Sequence, residues 1–476
     1  MACSVRGCGA SRERIVSPYT ALCSRVLFPL HEQLKGHDSV AIRKRLETSQ
    51  WWPAEQLEAY QVTQLRQFLV RIGQSVPYYR QLFHNLGFDA QKLQSLDDLM
   101  ALPLLTKKDI RGSVENLKAD GHGQLSRYNT GGSSGEPLVF YMGKGRKSHD
   151  VAAKWRATRW WGVDIGDPEL VVWGSPIELG SQDRVRRMRD GLMRSHLLAA
   201  FEMSHENLDK YVKTIRSTRP AMLFGYPSSL SLIAARAQQQ GMTMTDLGIK
   251  VAFVTSERLY DEQRTVISEV FGCPVANGYG ARDAGFIAHQ CPQGSLHISA
   301  EDIIVETVKP DGSTSESGQS GEIVITHLGT TDFPFVRYRT GDMGVLGEAT
   351  CACGRGLPIL REIQGRTTDF VIAKDGTVMH GLALIYAVRE LKGVAKFKIE
   401  QVSLDLTVVK LVVNPDFESN SEALIVRDFR ARLGKSVEVR IERVSDIPAE
   451  ASGKYRYVSS RVRAYEGTRT EGGSHA

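Results

Sequence analysis

From Ala54 to Phe83 apolar residues return at helical spacing, with Leu57, Tyr60, Leu65, Phe68, Leu69 and Ile72 on one stripe, so the early chain is predicted to be helical. Asp97 to Leu99 opens a further turn before Pro103. From Leu125 onward the texture changes to short apolar runs bounded by Gly, Pro and Ser, alternating with helical stretches. The runs are Pro137 to Met142, Leu170 to Trp173, Ala221 to Phe224, Val251 to Thr255 and Pro274 to Asn277. That alternation predicts an α/β domain with mostly parallel sheets. Glu301 to Val308 and Gly321 to Leu328 read instead as antiparallel strands around the turn Pro310-Asp311-Gly312.

After Gly365 the order becomes strand (Phe370 to Ala373), turn (Asp375-Gly376), helix (Leu382 to Leu391), two strands (Ala395 to Glu400, Leu404 to Val413), helix (Glu422 to Leu433) and strand (Val437 to Val444). This suits a separate small α+β domain. The expected division is a large domain over residues 1–367, with a helical extension over about the first hundred, and a small domain over 368–463. Residues 464–476, rich in Gly, Thr and Ser, have too little apolar surface to order themselves and are expected to form a disordered tail. Internal repeats are not seen.

Apolar residues at 42% and charged residues at 24% exclude global disorder. Sixty Lys and Arg against 54 Asp and Glu leave a formal +6, too mild to argue for nucleic acid and suited to an anionic small ligand. No run approaches the ~20 apolar residues of a transmembrane segment. The N-terminus, with Arg6, Arg12 and Glu13 before a short run broken by Pro29, makes a poor signal peptide, so a cytoplasmic protein is expected. Seven cysteines without a disulfide-like spacing point to reduced thiols or metal ligands. A homodimer is compatible with the sequence, and no segment specifies one.

Five segments could carry chemistry. Thr130-Gly131-Gly132-Ser133-Ser134-Gly135-Glu136-Pro137 stands directly before a predicted strand. Glycines let backbone N–H groups converge on an anion and hydroxyls add donors, so such a loop can wrap a polyphosphate, although it has no Walker spacing and could be a plain connection. Asn277-Gly278-Tyr279-Gly280-Ala281-Arg282-Asp283-Ala284-Gly285 follows another strand, where an aromatic ring can stack on a base and a carboxylate can hold Mg²⁺. In Tyr338-Arg339-Thr340-Gly341-Asp342 the Asp could accept from ribose hydroxyls. Gly365-Arg366-Thr367-Thr368-Asp369 reads as a hinge with an Arg beside it. Ser452-Gly453-Lys454 sets a Lys on a Gly-containing loop that can reach into a cleft and neutralise phosphate. Each alone has a bland reading as a turn or a solvated charge.

In this order the five segments resemble the adenylate-forming superfamily of acyl-CoA synthetases, adenylation domains and luciferases, most of all its phenylacetate-CoA ligase branch with the relatives associated with capsular polysaccharide biosynthesis. The resemblance spans roughly Leu102 to Tyr457. It implies a mobile C-terminal domain, an active site in the cleft, and ATP, Mg²⁺ and coenzyme A acting on a small-molecule carboxylic acid. Carried over by residue, it implies that Thr130 to Gly135 wrap the ATP phosphates, Tyr279 with Gly280 meets adenine, Asp283 holds Mg²⁺, and Asp342 with Arg366 binds ribose. Lys454 would bridge carboxylate and α-phosphate, and rotation about Thr368 or Asp369 would withdraw it to admit the thiol.

Two positions depart from that pattern. Asp283 stands where the superfamily carries Glu, and its shorter arm reaches less far toward a metal; Leu138 stands where the phosphate loop commonly has Lys beside its Pro.

Cys291, His297, Cys351 and Cys353 supply three thiols and one imidazole, the set for a closed tetrahedral Zn²⁺ site, against a bland reading as small buried hydrophobes. Arg184, Arg186, Arg187, Arg189 and Arg194 form a basic run that reads as a solvated helix face or as a landing place for CoA phosphates or an anionic membrane. Tyr226, after a predicted strand, is a candidate for the acyl pocket. The leading functional expectation is an AMP-forming acid–thiol ligase. The alternatives are an adenylating enzyme that passes the acyl group to a sugar or amine, and a non-catalytic nucleotide-binding relative.

Overall fold

The computed structural model describes residues 17–130, 138–173, 184–200, 203, 205–347, 350–366, 370–375, 378–380, 382–448 and 456–462. The expected loop Gly131 to Gly135, the hinge positions Thr368 and Asp369, Lys454 and the tail 464–476 lie outside the described residues.

The early helices form as their spacing predicts. Ala54–Ser75 buries Leu57, Gln61, Leu65, Phe68, Leu69 and Ile72 along one face. Pro77 cannot continue that helix and opens the next, Pro77–Leu86, which Gly87 closes in the left-handed region at φ 62°. These helices cover a core with Leu138, Phe140, Ile323, Ile325 and Tyr338.

Two short strands, β1 (Ser126–Asn129) and β2 (Val139–Met142), pair antiparallel on either side of the glycine-rich loop. An eleven-stranded sheet follows. Its members are β3 (Glu169–Trp173), β4 (Ser195–Ala199), β5 (Met222–Gly225), β6 (Val251–Thr255), β7 (Val275–Ala281), β8 (Gly285–Gln290), β9 (Leu296–Ile298), β10 (Ile303–Val308), β11 (Ser320–His327), β12 (Tyr338–Gly347) and β13 (Ile359–Arg366). Their order is β10-β11-β12-β13-β9-β8-β7-β6-β5-β3-β4.

The fold is the expected mixed α/β class, but within this sheet parallel pairing is confined to β3 through β7; every ladder from β7 to β10 is antiparallel. The reason is in the connections. β3, β5, β6 and β7 are separated by crossover helices such as Pro227–Gln239 and Asp261–Phe271, whereas β7 and β8 are joined by three residues, a hairpin length that permits only antiparallel pairing. The buried runs MLFG and VAFVT, covered on both faces, fit the parallel half.

The smaller C-terminal unit contains the hairpin β14 (Phe370–Ile372) and β15 (Val378–His380) and a four-stranded sheet of β16 (Val394–Gln401), β17 (Leu406–Val413), β18 (Glu438–Arg443) and β19 (Val458–Ser460) in the order β18-β17-β16-β19. Helices Leu382–Arg389 and Ser421–Leu433 bury Leu384, Val388, Ile425 and Phe429 in its own core. The unit touches the large one through Arg389, which is ion-paired with Glu262 and lies over the rings of Tyr260 and Tyr457. Among the described residues no helix is long and apolar enough to cross a membrane.

Candidate active site and thiol–imidazole cluster

The strands converge four of the five sequence segments on one place, the end of β7 where the sheet changes from parallel to antiparallel. The β7–β8 turn is tight enough to require glycine at both feet. A Cβ on Gly280 would lie 2.3 Å from the Gly285 carbonyl, and Gly285 has φ 102° with no room beside His327 and Arg146. Arg282 and Asp283 sit at its tip.

Asp283 is buried and accepts a hydrogen bond from the Tyr338 hydroxyl at 2.5 Å. Behind the turn, buried Arg146 on the helix Lys144–Trp160 donates to the carbonyls of Arg282 (3.1 Å) and Asp283 (3.3 Å), while its Nε bonds Asp150 at 3.0 Å. In front, Arg282 donates to the Asn129 carbonyl at 3.4 Å, at the mouth of the glycine-rich loop. Thr130 closes that mouth twice: its N–H donates to the Leu138 carbonyl and its hydroxyl accepts from the Leu138 N–H, both at 2.9 Å.

Three residues before Arg282, Tyr279 donates its phenol proton to Asp342 Oδ2 at 2.9 Å. Asp342 in turn lies opposite Arg366 in the β12–β13 register. Thr130, Tyr279, Gly280, Asp283, Asp342 and the backbone of Arg366 are therefore gathered together; Lys454 falls outside the described residues, though β19 begins four residues beyond it and pairs parallel with β16. Tyr226, just past β5, is buried and stacked on Trp173 with ring centroids 4.3 Å apart, at the carboxyl ends of the parallel strands. Ligands of parallel α/β sheets gather at such ends.

Sequence reasoning missed two contributors. Tyr338 stands inside a segment singled out for Asp342, yet nothing in its spacing pairs it with Asp283. Arg146 belongs to a helix without a clear apolar stripe, and only the fold brings it beneath the turn.

The second cluster lies at the opposite ends of the same strands. Cys291 follows β8, His297 is in β9, and Cys351 and Cys353 lie between β12 and β13, so the cluster ties two turns remote from Asp342. All four donor atoms fall within 4.8 Å of one another. Cys291 and Cys351 sulfurs are 3.6 Å apart, and Cys353 Sγ is 3.3 Å from His297 Nε2. A tetrahedral Zn²⁺ with bonds of about 2.3 Å to sulfur has ligand–ligand edges of roughly 3.8 Å, so the donors already stand near the separation the ion needs. His297 Nδ1 bonds the Leu357 carbonyl at 3.0 Å, which fixes the proton there and turns the Nε2 lone pair to the sulfurs.

Burial pushes the Cys291 thiol up to about 11. Burial also opposes ionisation of Cys351, but hydrogen bonds from Ser295, the Cys353 N–H and the neighbouring thiols outweigh it and bring that thiol to about 7.

The architecture is that of the adenylate-forming CoA ligases. The solved structure of 2-hydroxyisobutyryl-CoA ligase in the postadenylation state, in complex with 2-HIB-AMP, superposes with a TM-score of 0.69 at 20% identity, covering 87% of this chain and 91% of that one. Residues 371–461 match the CapK C-terminal domain. Protein CapK of Staphylococcus aureus is 24% identical over 401 residues, 83% of this chain and 88% of its own length. Phenylacetate-coenzyme A ligase of Thermus thermophilus is 25% identical over 440 residues, 85% of this chain and 97% of its own. The resemblance read from the five segments thus extends over most of the chain.

Proposed function

We propose that this protein is an AMP-forming ligase: the carboxylate oxygen of a small acid attacks the α-phosphorus of ATP with loss of pyrophosphate, and the thiol of coenzyme A then attacks the acyl carbon with loss of AMP. The observation that carries this reading is the meeting of the loop mouth at Asn129, the Asp283 turn and the Tyr279–Asp342 pair at one strand end. A nucleotide there has its phosphates toward residues 130–135, adenine beside Tyr279 and Gly280, and ribose on Asp342 with Arg366. Asp283 would hold Mg²⁺, whose charge offsets that of the phosphates; Tyr338 orients its carboxylate. Charge stabilisation of this kind is the main catalytic requirement when two anions must approach.

In the same reading residues 1–367 form the adenylation domain and 368–463 a small domain that delivers Lys454 to the reacting oxygens, then rotates about Thr368 or Asp369. Tyr226 and Trp173 line the acyl pocket. Zn²⁺ held by Cys291, His297, Cys351 and Cys353 would pin the far turns and take no part in the reaction. The enzyme would work in the cytoplasm, where ATP and coenzyme A are at hand.

The match to the CapK C-terminal domain favours a second reading of the last step, with a sugar or amine of surface-polysaccharide assembly as acceptor. Mass detection of acyl products from a carboxylic acid panel, offered coenzyme A or aminosugars, tests both. Acyl-CoA supports the first reading; turnover with aminosugar alone overturns it in favour of the second.

A further inference from the structure

The helical stretch Pro18–Leu34 turns a row of apolar side chains to solvent. Its inward face is mixed: Thr20, Cys23, Ser24 and Glu32 are buried and Phe28 packs edge-on against Trp155, with Thr20 donating to Asp167 at 2.8 Å and Glu32 accepting from Ser39 at 2.5 Å. Its outward face is apolar: Leu22, Val26, Leu30 and Leu34 are 45%, 51%, 53% and 81% exposed. These four recur at every fourth position, and the π turn Cys23–Leu27 within the stretch closes more widely than an α turn, which brings positions four apart closer to one line. The row is about 18 Å long at 1.5 Å per residue.

The row does not stand alone. Beside it lies the basic helix Arg184–Leu192, joined to it by the Tyr19 hydroxyl donating to the Leu192 carbonyl at 2.8 Å and by Arg194 over the Tyr19 ring. That helix exposes Met188 and Leu192, continuing the apolar surface. Across 18–35 and 184–194 there are seven Arg and Lys against two Asp and Glu. A globular protein seldom leaves so much contiguous apolar surface uncovered. The charge selects the cover: two copies of this face would set like charges together, whereas an anionic lipid surface satisfies both the leucines and the arginines.

We propose that this face is a docking surface for anionic membranes, with Leu22, Val26, Leu30 and Leu34 entering the interfacial layer and Arg25, Arg189 and Arg194 meeting the headgroups. The inference is independent of the ligase reading.

Sedimentation of the full chain with vesicles tests it. The protein is expected to bind phosphatidylcholine vesicles that contain phosphatidylglycerol and not those of phosphatidylcholine alone, and to be released as salt rises. Val26→Glu with Leu30→Glu should lower binding ~10-fold or more while thermal melting stays put, because both side chains are exposed; Arg25→Gln, on the same outward face, should weaken binding and its salt dependence together. No binding to anionic vesicles, or equal binding by the double variant, overturns the proposal. So does a dimer in light scattering that the double variant dissociates without any vesicle binding, which assigns the face to a second copy, and so does binding that appears only once residues 2–16 are removed, which makes the row a seat for that segment.

Discussion

The phenol of Tyr279 and the carboxylate of Asp342, sixty-three residues apart, are hydrogen-bonded at 2.9 Å across two strands that are not neighbours in the sheet. The bond holds an aromatic ring and an acidic oxygen side by side at the end of the parallel ladder. Ribose hydroxyls would meet the carboxylate with its orientation already fixed, so little ordering is left for the nucleotide to induce.

Asp342→Ala should weaken ATP binding by about 1.5–3 kcal/mol, the range for hydrogen bonds to a charged group, and Tyr279→Phe by less because the ring remains. Calorimetric titration with ATP measures both. Equal affinity in Asp342→Ala and parent would remove the ribose assignment.

Arg146 supports the turn that carries Asp283 without facing a nucleotide. Removing it takes donors from two backbone carbonyls and leaves the half-buried Asp150 without this partner, so Arg146→Ala should cost about 1–3 kcal/mol of stability. A urea midpoint shift shows it. A shift no larger than that of an exposed Arg would contradict the support role.

The thiol–imidazole cluster predicts one Zn²⁺ per chain on elemental analysis. Chelation, or Cys353→Ser, should lower the melting temperature, since a bound ion stabilises only the folded arrangement of donors. Absence of zinc together with melting indifferent to chelator would refute the site.

Two buried imidazoles set an acid limit. Burial first, then the guanidinium of Arg156 beside His289 and that of Arg146 beside His327, with His149 facing both, hold these rings well below the usual histidine range. The unfolded chain would protonate them near pH ~6.5 and the folded one would not, so their contribution is complete above that value and is lost as pH falls, by about 1.4 kcal/mol per pH unit for each ring. Urea midpoints should drop between about pH 7 and about pH 5.5, and His327→Gln should flatten the slope. A pH-independent midpoint would contradict neutral burial.

Much of this was legible in the sequence. The strand Val251–Thr255 and the helix Ala54–Ser75 follow directly from runs and periodicity, because burial on two faces or one leaves an unmistakable pattern. The glycines of the 277–285 segment were readable as a turn, since only they tolerate the approach of Gly280 to the Gly285 carbonyl. What did not show was anything set by long-range packing: Tyr338 reaching Asp283, Arg146 beneath the turn, and β19 joining β16 from sixty residues away. The stretch Pro18–Leu34 escaped notice because Leu22, Val26, Leu30 and Leu34 face outward and Pro29 breaks the run, although a proline early in the segment Phe28–Leu34 is tolerated.

The measurement that tests the account most directly is carboxylate-dependent exchange of labelled pyrophosphate into ATP, run on a panel of acids with the parent, Asp342→Ala and Lys454→Ala. The account predicts exchange with at least one acid in the parent, its near-abolition in Lys454→Ala and a raised ATP requirement in Asp342→Ala, while the fold, followed by circular dichroism, persists. ATP binding with no exchange for any acid would contradict it and leave a nucleotide-binding protein without adenylating activity, and equal exchange in Lys454→Ala and parent would contradict the role given to Lys454.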